Sequence, residues 1–288
     1  QTQPGHPGEP VGRNANRIGG AKFTLNGVTY ELAKNSAEVN NLHSGPDYYR
    51  DRIWDAEVEE TALGTTITFG LHSPDGDQGY PGNADITVSY TLTPDNCLKL
   101  DYHMVSDADT IANFTNHVYF NLGGYKSGSA LDQKVWIDAD YFTATDANSI
   151  PTGELVAVKG TPMDFTEMKP IGRDIQEDYQ ALKYGNGYDH NWALNHPAGE
   201  LSLSAKAEDE KTGRTMEVYT DLPGVQFYTA NSLKTEHGKN HAVYTPRCGY
   251  CFETQYFPDA INKPEFASPV VKAGEEYKTT TIYKFGVK

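Results

Sequence analysis

Two stretches of the chain carry side chains suited to moving protons. In Thr245 to Asp259, TPRCGYCFETQYFPD, Glu253 interrupts a run in which Cys248, Tyr250, Cys251 and Phe252 are of the kind that fills a half-buried strand. A buried carboxylate needs a partner or a proton, so Glu253 marks a site to test; on the solvent face of its strand it would be an ordinary surface residue. In Asn113 to Leu122, NFTNHVYFNL, strand alternation puts Thr115, His117, Tyr119 and Asn121 on one face, with Phe114, Val118, Phe120 and Leu122 toward the core. Hydroxyl, imidazole, phenol and amide together make a face for hydrogen bonding, and three asparagines in a strand-like run ask for a reason. One carboxylate and one imidazole are enough for general acid and base work.

Further polar residues lie at what read as strand ends and loops. These are Asn16 and Arg17 in RNANRI, His43 in NNLHSGP, Asp189 opening the aromatic run YDHNWAL, and Gln226 beside Phe227 and Tyr228. Together they offer donors and acceptors for a polyhydroxylated ligand, with aromatics nearby to cover an apolar ring face. The chain has no G-x-S-x-G, P-loop or Rossmann glycine pattern, so acyl, phosphoryl and hydride transfer lack their usual apparatus. No metal or cofactor is expected. His237 and His241 would form a metal pair only on a helix, which Gly238 opposes. Cys248 and Cys251 lie in an apparent strand, where they read as small buried hydrophobes rather than as a zinc or redox pair.

The elements that must hold these residues read as strands. Nineteen tyrosines, eleven phenylalanines and three tryptophans, with 27 glycines and 16 prolines, favour strands and turns over helices. Asn26-Gly27 between alternating runs predicts a tight type I′ hairpin. Paired runs flank Leu63-Gly64, Ala84 to Leu92 and Cys97 to Val105 form another pair, and Lys278 to Phe285 closes the chain. A weak helical pattern covers Ile171 to Tyr179. Residues 1–12, with three prolines and three glycines, read as a lead-in with little to pack, and 13–288 as one domain. The fold class expected is all-β, a large antiparallel β-sandwich.

The formal charge of −15, with no basic block, is the wrong sign for binding nucleic acid or an anionic membrane through phosphates. A neutral small molecule is the more natural partner. Three cysteines, no long apolar run and no signal pattern make the cytoplasm the expected location.

NANRIGGAKFTLNG, NNLHSG, GDQGYPG, NFTNHVYFNLGG, GYDHNWAL, PGVQFYTAN and CFETQYFPDAIN occur in that order. In these motifs the chain resembles the aldose 1-epimerase (galactose mutarotase) family from about Arg13 to the C-terminus. The resemblance implies a galactose mutarotase-like supersandwich with a sugar cleft on one face, acting on a free aldohexose as a monomer or homodimer. It implies Glu253 as general base and His117 as general acid; ring opening itself asks for one carboxylate and one imidazole on opposite sides of the sugar ring. Asn16, Arg17, His43, Tyr119, Asp189 and Gln226 would line the sugar. Family members usually begin several tens of residues earlier, so N-terminal strands are expected to be missing or shortened beside Arg17. Ser44, Gln78 and Trp192 depart from the usual residues of their motifs and are expected to bear on which sugar fits. Alternatives on the same fold are a hexose-6-phosphate 1-epimerase, which needs further cations at the cleft, and a non-catalytic sugar-binding protein, which would not need both Glu253 and His117. A polysaccharide-processing enzyme, on a related sandwich, would need an open groove.

Overall fold

The computed structural model describes residues 7–236 and 238–288. Two antiparallel sheets dominate it. The larger has nine strands in the order Lys169–Pro170, Lys134–Ile137, Ser202–Glu208, Arg214–Thr220, Glu276–Val287, Cys97–Ser106, Ala84–Leu92, Gly64–Ser73 and Asp55–Thr61. The smaller has five, in the order Pro151–Ala157, Tyr141–Thr145, Asp189–Ala193, Gly224–Tyr228 and Cys251–Gln255. Alternation decides what each strand buries. Val88, Leu100, Met104, Ala205, Met216 and Val218 from the larger sheet share one apolar cluster with Phe142, Trp192, Val225, Phe227 and Phe252 from the smaller. The aromatic centre is tight: Phe227 lies 5.2 Å from Phe252, 5.5 Å from Phe165 and 6.0 Å from Trp192, centroid to centroid. Truncating one such buried aromatic typically costs about 3–5 kcal/mol. The two sheets are also tied by hydroxyls, since Thr254 and Thr281 share a 2.6 Å hydrogen bond and the Tyr283 hydroxyl donates to the Phe252 carbonyl.

The predicted hairpin forms, with Lys22–Leu25 paired to Val28–Glu31 and both Asn26 (φ 51°) and Gly27 (φ 80°) in the left-handed region that a type I′ turn demands. Elsewhere local reading fails. The helical pattern over Ile171 to Tyr179 is a series of turns, and the helix begins only at Gln180, running to Gly185. Part of the presumed lead-in is docked: Pro10–Val11 pairs with Thr115–Asn116, Val11 is buried and Glu9 pairs with Arg50. Within the Arg13 to Arg17 cluster the two arginines part company. Arg13 is fully buried and donates to the carbonyls of Pro81, Ser73 and Pro74 and to the hydroxyls of Ser73 and Thr110, so it is a structural brace.

The NFTNHVYFNL segment is the largest departure. Only Thr115–Asn116 is strand; the chain then leaves the sheet, Phe120 makes a lone bridge to Tyr250, and Val118 is only half-buried. Its asparagines brace loops and neighbouring strands rather than line one polar face. Asn113 accepts from the Tyr256 backbone, Asn116 reaches the Tyr90 hydroxyl, and Asn121 ties together Gly123, Ser127, Gly128, Gln133 and Cys248. His237, half of the weighed metal pair, lies outside the described residues.

Candidate active site

The outer face of the five-stranded sheet is polar for the same reason that its inner face is apolar. Phe252 and Thr254 point toward the larger sheet, so Cys251, Glu253 and Gln255 point away from it. The register then sets Gln226 opposite Glu253, Asn191 opposite Gln226, and Asp189 opposite Tyr228. Their side chains join in a floor of amides. Gln226 donates to Asp189 at 2.7 Å, Gln255 to Asn191 at 3.1 Å and to Gln226 at 3.4 Å, and Asn16 to Gln255 at 3.3 Å. Each lateral bond fixes a rotamer that the strand alone would leave free.

A cleft of about 370 Å³ opens over this floor, and all eight residues singled out from the sequence line it. Glu253 forms part of its base, 2 % exposed. His117 reaches it from the chain just after Asn116, its backbone N–H held by the Glu9 carbonyl at 3.1 Å. Asn16–Arg17 and His43 come from the short pair Arg17–Ile18 with Asn41–Leu42. Asn16 (φ 61°) and His43 (φ 55°) are both in the left-handed region, held by a reciprocal pair of bonds. The His43 N–H donates to the Asn16 carbonyl at 2.9 Å, and the Asn16 N–H to His43 Nδ1 at 3.1 Å. With Nδ1 accepting, the His43 ring proton sits on Nε2. Arg17 reaches Asp189 at 3.7 Å. Tyr119 stands 5.0 Å from the His117 ring.

Glu253 and His117 are neighbours: Oε1 and Nε2 are 3.6 Å apart. The expectation that they flank the sugar ring from opposite sides is therefore replaced by a compact pair, suited to two oxygens carried on one carbon. Burial pushes the Glu253 carboxyl well above its ordinary range, Asp189 adds to the rise and Arg17 opposes it. Glu253 Oε2 is buried without a hydrogen-bond partner among the described residues. A carboxylate so placed is a stronger base than one in water and is open to a ligand hydroxyl. Burial also keeps the Tyr119 phenol protonated.

His43, His117 and Glu253 offer ligand atoms that lie within 4.8 Å of one another, a donor set by composition suited to a metal. The tautomer of His43 opposes that use, because its Nε2 carries the proton while Nδ1 is engaged by Asn16. His190 is no part of the cleft. Its ring is buried against Phe142 and Trp192, burial pushes its pKa down to about 4, and Nδ1 accepts from the Asp189 backbone.

The sequence reading missed Leu42, Gly185, Asn186, Tyr228, Asn231 and Ser232 in the lining. Gly185 and Asn186 end the short helix, where Asn186 (φ 51°) caps it in the left-handed region. A turn-forming Asn after a helical run is the signal for that cap, but nothing local says that it faces a cleft. Tyr228 was legible, being two residues after Gln226 on the same strand face. Conversely, Ser44, Gln78 and Trp192 do not line the cleft. Ser44 is bonded to Asn14 and Tyr80, Gln78 to the Asp47 carbonyl, and Trp192 is fully buried with Nε1 donating to Met163. Their departures from the family motifs are matters of packing.

Comparison with known proteins identifies the family of the chain. A family described as aldose 1-epimerase matches residues 1–284. The galactose mutarotase of Bos taurus is 42% identical over 288 residues, covering 100% of this chain and 80% of that protein. The aldose 1-epimerase of Escherichia coli K12 is 35% identical over 287 residues, covering 99% and 81%. Among solved structures, galactose 1-epimerase from Lactobacillus acidophilus NCFM superposes with a TM-score of 0.86 at 27% identity, covering 99% of this chain and 81% of that one. No helix among the described residues is long and apolar enough to cross a membrane. By sequence and by fold, the chain belongs to the aldose 1-epimerase family.

Proposed function

We propose that the cleft binds a free aldohexose and interconverts its α and β anomers, with Glu253 as general base and His117 as general acid. Glu253 takes the proton of the anomeric hydroxyl while His117 Nε2 gives one to the ring oxygen. The bond between C1 and the ring oxygen breaks as the C1 carbonyl forms. Rotation about C1–C2 presents the other carbonyl face. On closure the C5 hydroxyl attacks C1 and returns its proton to His117, and Glu253 gives its proton to the oxygen at C1. Each proton-transfer group contributes on the order of 10²–10⁴-fold, and the cycle consumes nothing. Asn16, Arg17, His43, Asp189 and Gln226 supply the donors and acceptors for the remaining hydroxyls, and Tyr119 and Tyr228 the apolar contact.

The observation that carries this reading is the Glu253–His117 pair, 3.6 Å apart and buried in a polar cleft. Binding alone would tolerate Gln and Asn at these two places. A phosphorylated sugar fits poorly, because Arg17 is the one Lys or Arg in the described lining and is engaged by Asp189. The test is polarimetry of freshly dissolved α-D-galactose and α-D-glucose. The chain should accelerate mutarotation of one or both, and His117→Asn should lose at least about a hundredfold while staying folded. A folded wild-type chain that leaves both rotations at the uncatalysed rate would overturn the reading.

A further inference from the structure

Cys251 and Glu253 are separated by one residue on the strand Cys251–Gln255, so both side chains leave the same sheet face, roughly 7 Å apart along the strand. The His117 ring lies across that gap. Its Nε2 faces Glu253 Oε1 at 3.6 Å and its Nδ1 faces Cys251 Sγ at 3.5 Å. His43, Tyr119 and Tyr228 pack around the ring with centroids at 5.5, 5.0 and 6.2 Å. The thiol is completely buried, whereas Cys248, its apparent partner in the sequence, sits half-buried in the preceding turn.

We propose that Cys251 is a positioning residue for the general acid: its sulfur takes the Nδ1 hydrogen of His117 and so confines the exchanging proton to Nε2, the nitrogen that faces the base. The proposal rests on the acid role assigned to His117 above. The protonated ring donates Nδ1–H to the sulfur. After Nε2 has given its proton to the sugar ring oxygen, the neutral ring keeps Nδ1–H on the sulfur and presents a lone pair at Nε2, ready to receive the proton of the C5 hydroxyl on closure. Burial, with Glu253 and Asp189 nearby, holds the thiol well above its ordinary range, so it remains a neutral S–H. A neutral sulfur is a weak acceptor, enough to choose between the two ring nitrogens. The C-x-E spacing thus serves both ring nitrogens from one strand.

The experiment compares Cys251→Ala, Cys251→Val and Cys251→Ser in the full chain by polarimetry, thermal melting and ¹⁵N NMR of the histidine rings. His117→Asn assigns the His117 signals. Alanine and valine should lower kcat on the order of tenfold, as for the loss of one net hydrogen bond, with KM within about twofold. In both, the His117 Nδ1 signal should move from the protonated position toward a tautomer average. Serine, which can still accept, should stay within about threefold of wild type with the tautomer retained. If alanine does not fold, valine and serine decide. Unchanged kcat and unchanged ring signals in the folded apolar variants would overturn the proposal. So would a loss of kcat with the wild-type tautomer intact, because that is a packing effect. An inactive wild-type chain would defeat the functional reading instead, and the ring signals would still decide what Cys251 does.

Discussion

Replacing Glu253 with glutamine separates the chemistry of the site from its architecture. Glu253→Gln keeps the shape and removes only the charge and the basic oxygen. Oε1 faces His117 Nε2 at 3.6 Å, longer than a hydrogen bond, and Oε2 has no partner among the described residues, so the amide breaks no hydrogen bond seen there. The rate should fall by about 10²–10⁴, equivalent to about 2.7–5.4 kcal/mol of transition-state stabilisation. Stability should move the other way. The folded-state pKa of Glu253 lies well above 4.5, so its contribution is fully present below the unfolded value and is lost as pH rises through the folded one. Wild type should therefore lose stability above about pH 4.5 relative to the glutamine variant, and the two should converge in acid. Polarimetry with α-D-galactose, corrected for the uncatalysed rotation, measures the first effect, and thermal melts from pH 4 to 8 measure the second. A variant that retains a tenth of the wild-type rate, or that melts lower than wild type at pH 8, would refute the reasoning.

Two other substitutions test the surroundings of the pair. Asp189 raises the Glu253 pKa and engages Arg17, which lowers it, so Asp189→Asn should lower that pKa on both counts. The acid limb of kcat/KM against pH should move to lower pH; an upward move would show that the charges are coupled otherwise. Trp192→Phe should cost about 1–3 kcal/mol by denaturant unfolding, because the indole is buried and bonded to Met163, yet leave KM for galactose within about twofold. A change in sugar preference would mean that Trp192 reaches the cleft after all.

Chain-local physics made much of this protein readable. Alternation and Asn-Gly turn chemistry yield the strands and the hairpin at Asn26-Gly27, because a strand's period and a turn's φ values depend on neighbouring residues only. Glu253 stood out because a carboxylate is costly inside an apolar run. The other seven cleft residues stood out because they are polar groups at strand ends, in loops and on one face of a strand-like run, and the ordered motifs then suggested their roles. The NFTNHVYFNL segment was misread because its alternation is real while its backbone pairing ends at His117, and such pairing is decided by distant strands. The meaning of Cys251 was hidden for a related reason. Composition makes a cysteine a small hydrophobe, and only the approach of His117, 134 residues away, gives its sulfur a nitrogen to hold. Trp192 shows the converse, since its motif suggested the pocket and the register turned it to the core. Residue types and their spacing mark which side chains could do the chemistry and set the periodicity of the strands that carry them. The tertiary structure alone decided which faces met, because register and the crossing of remote segments are set by packing over the whole domain, and with them the 3.6 Å contact on which the proposed proton transfer depends.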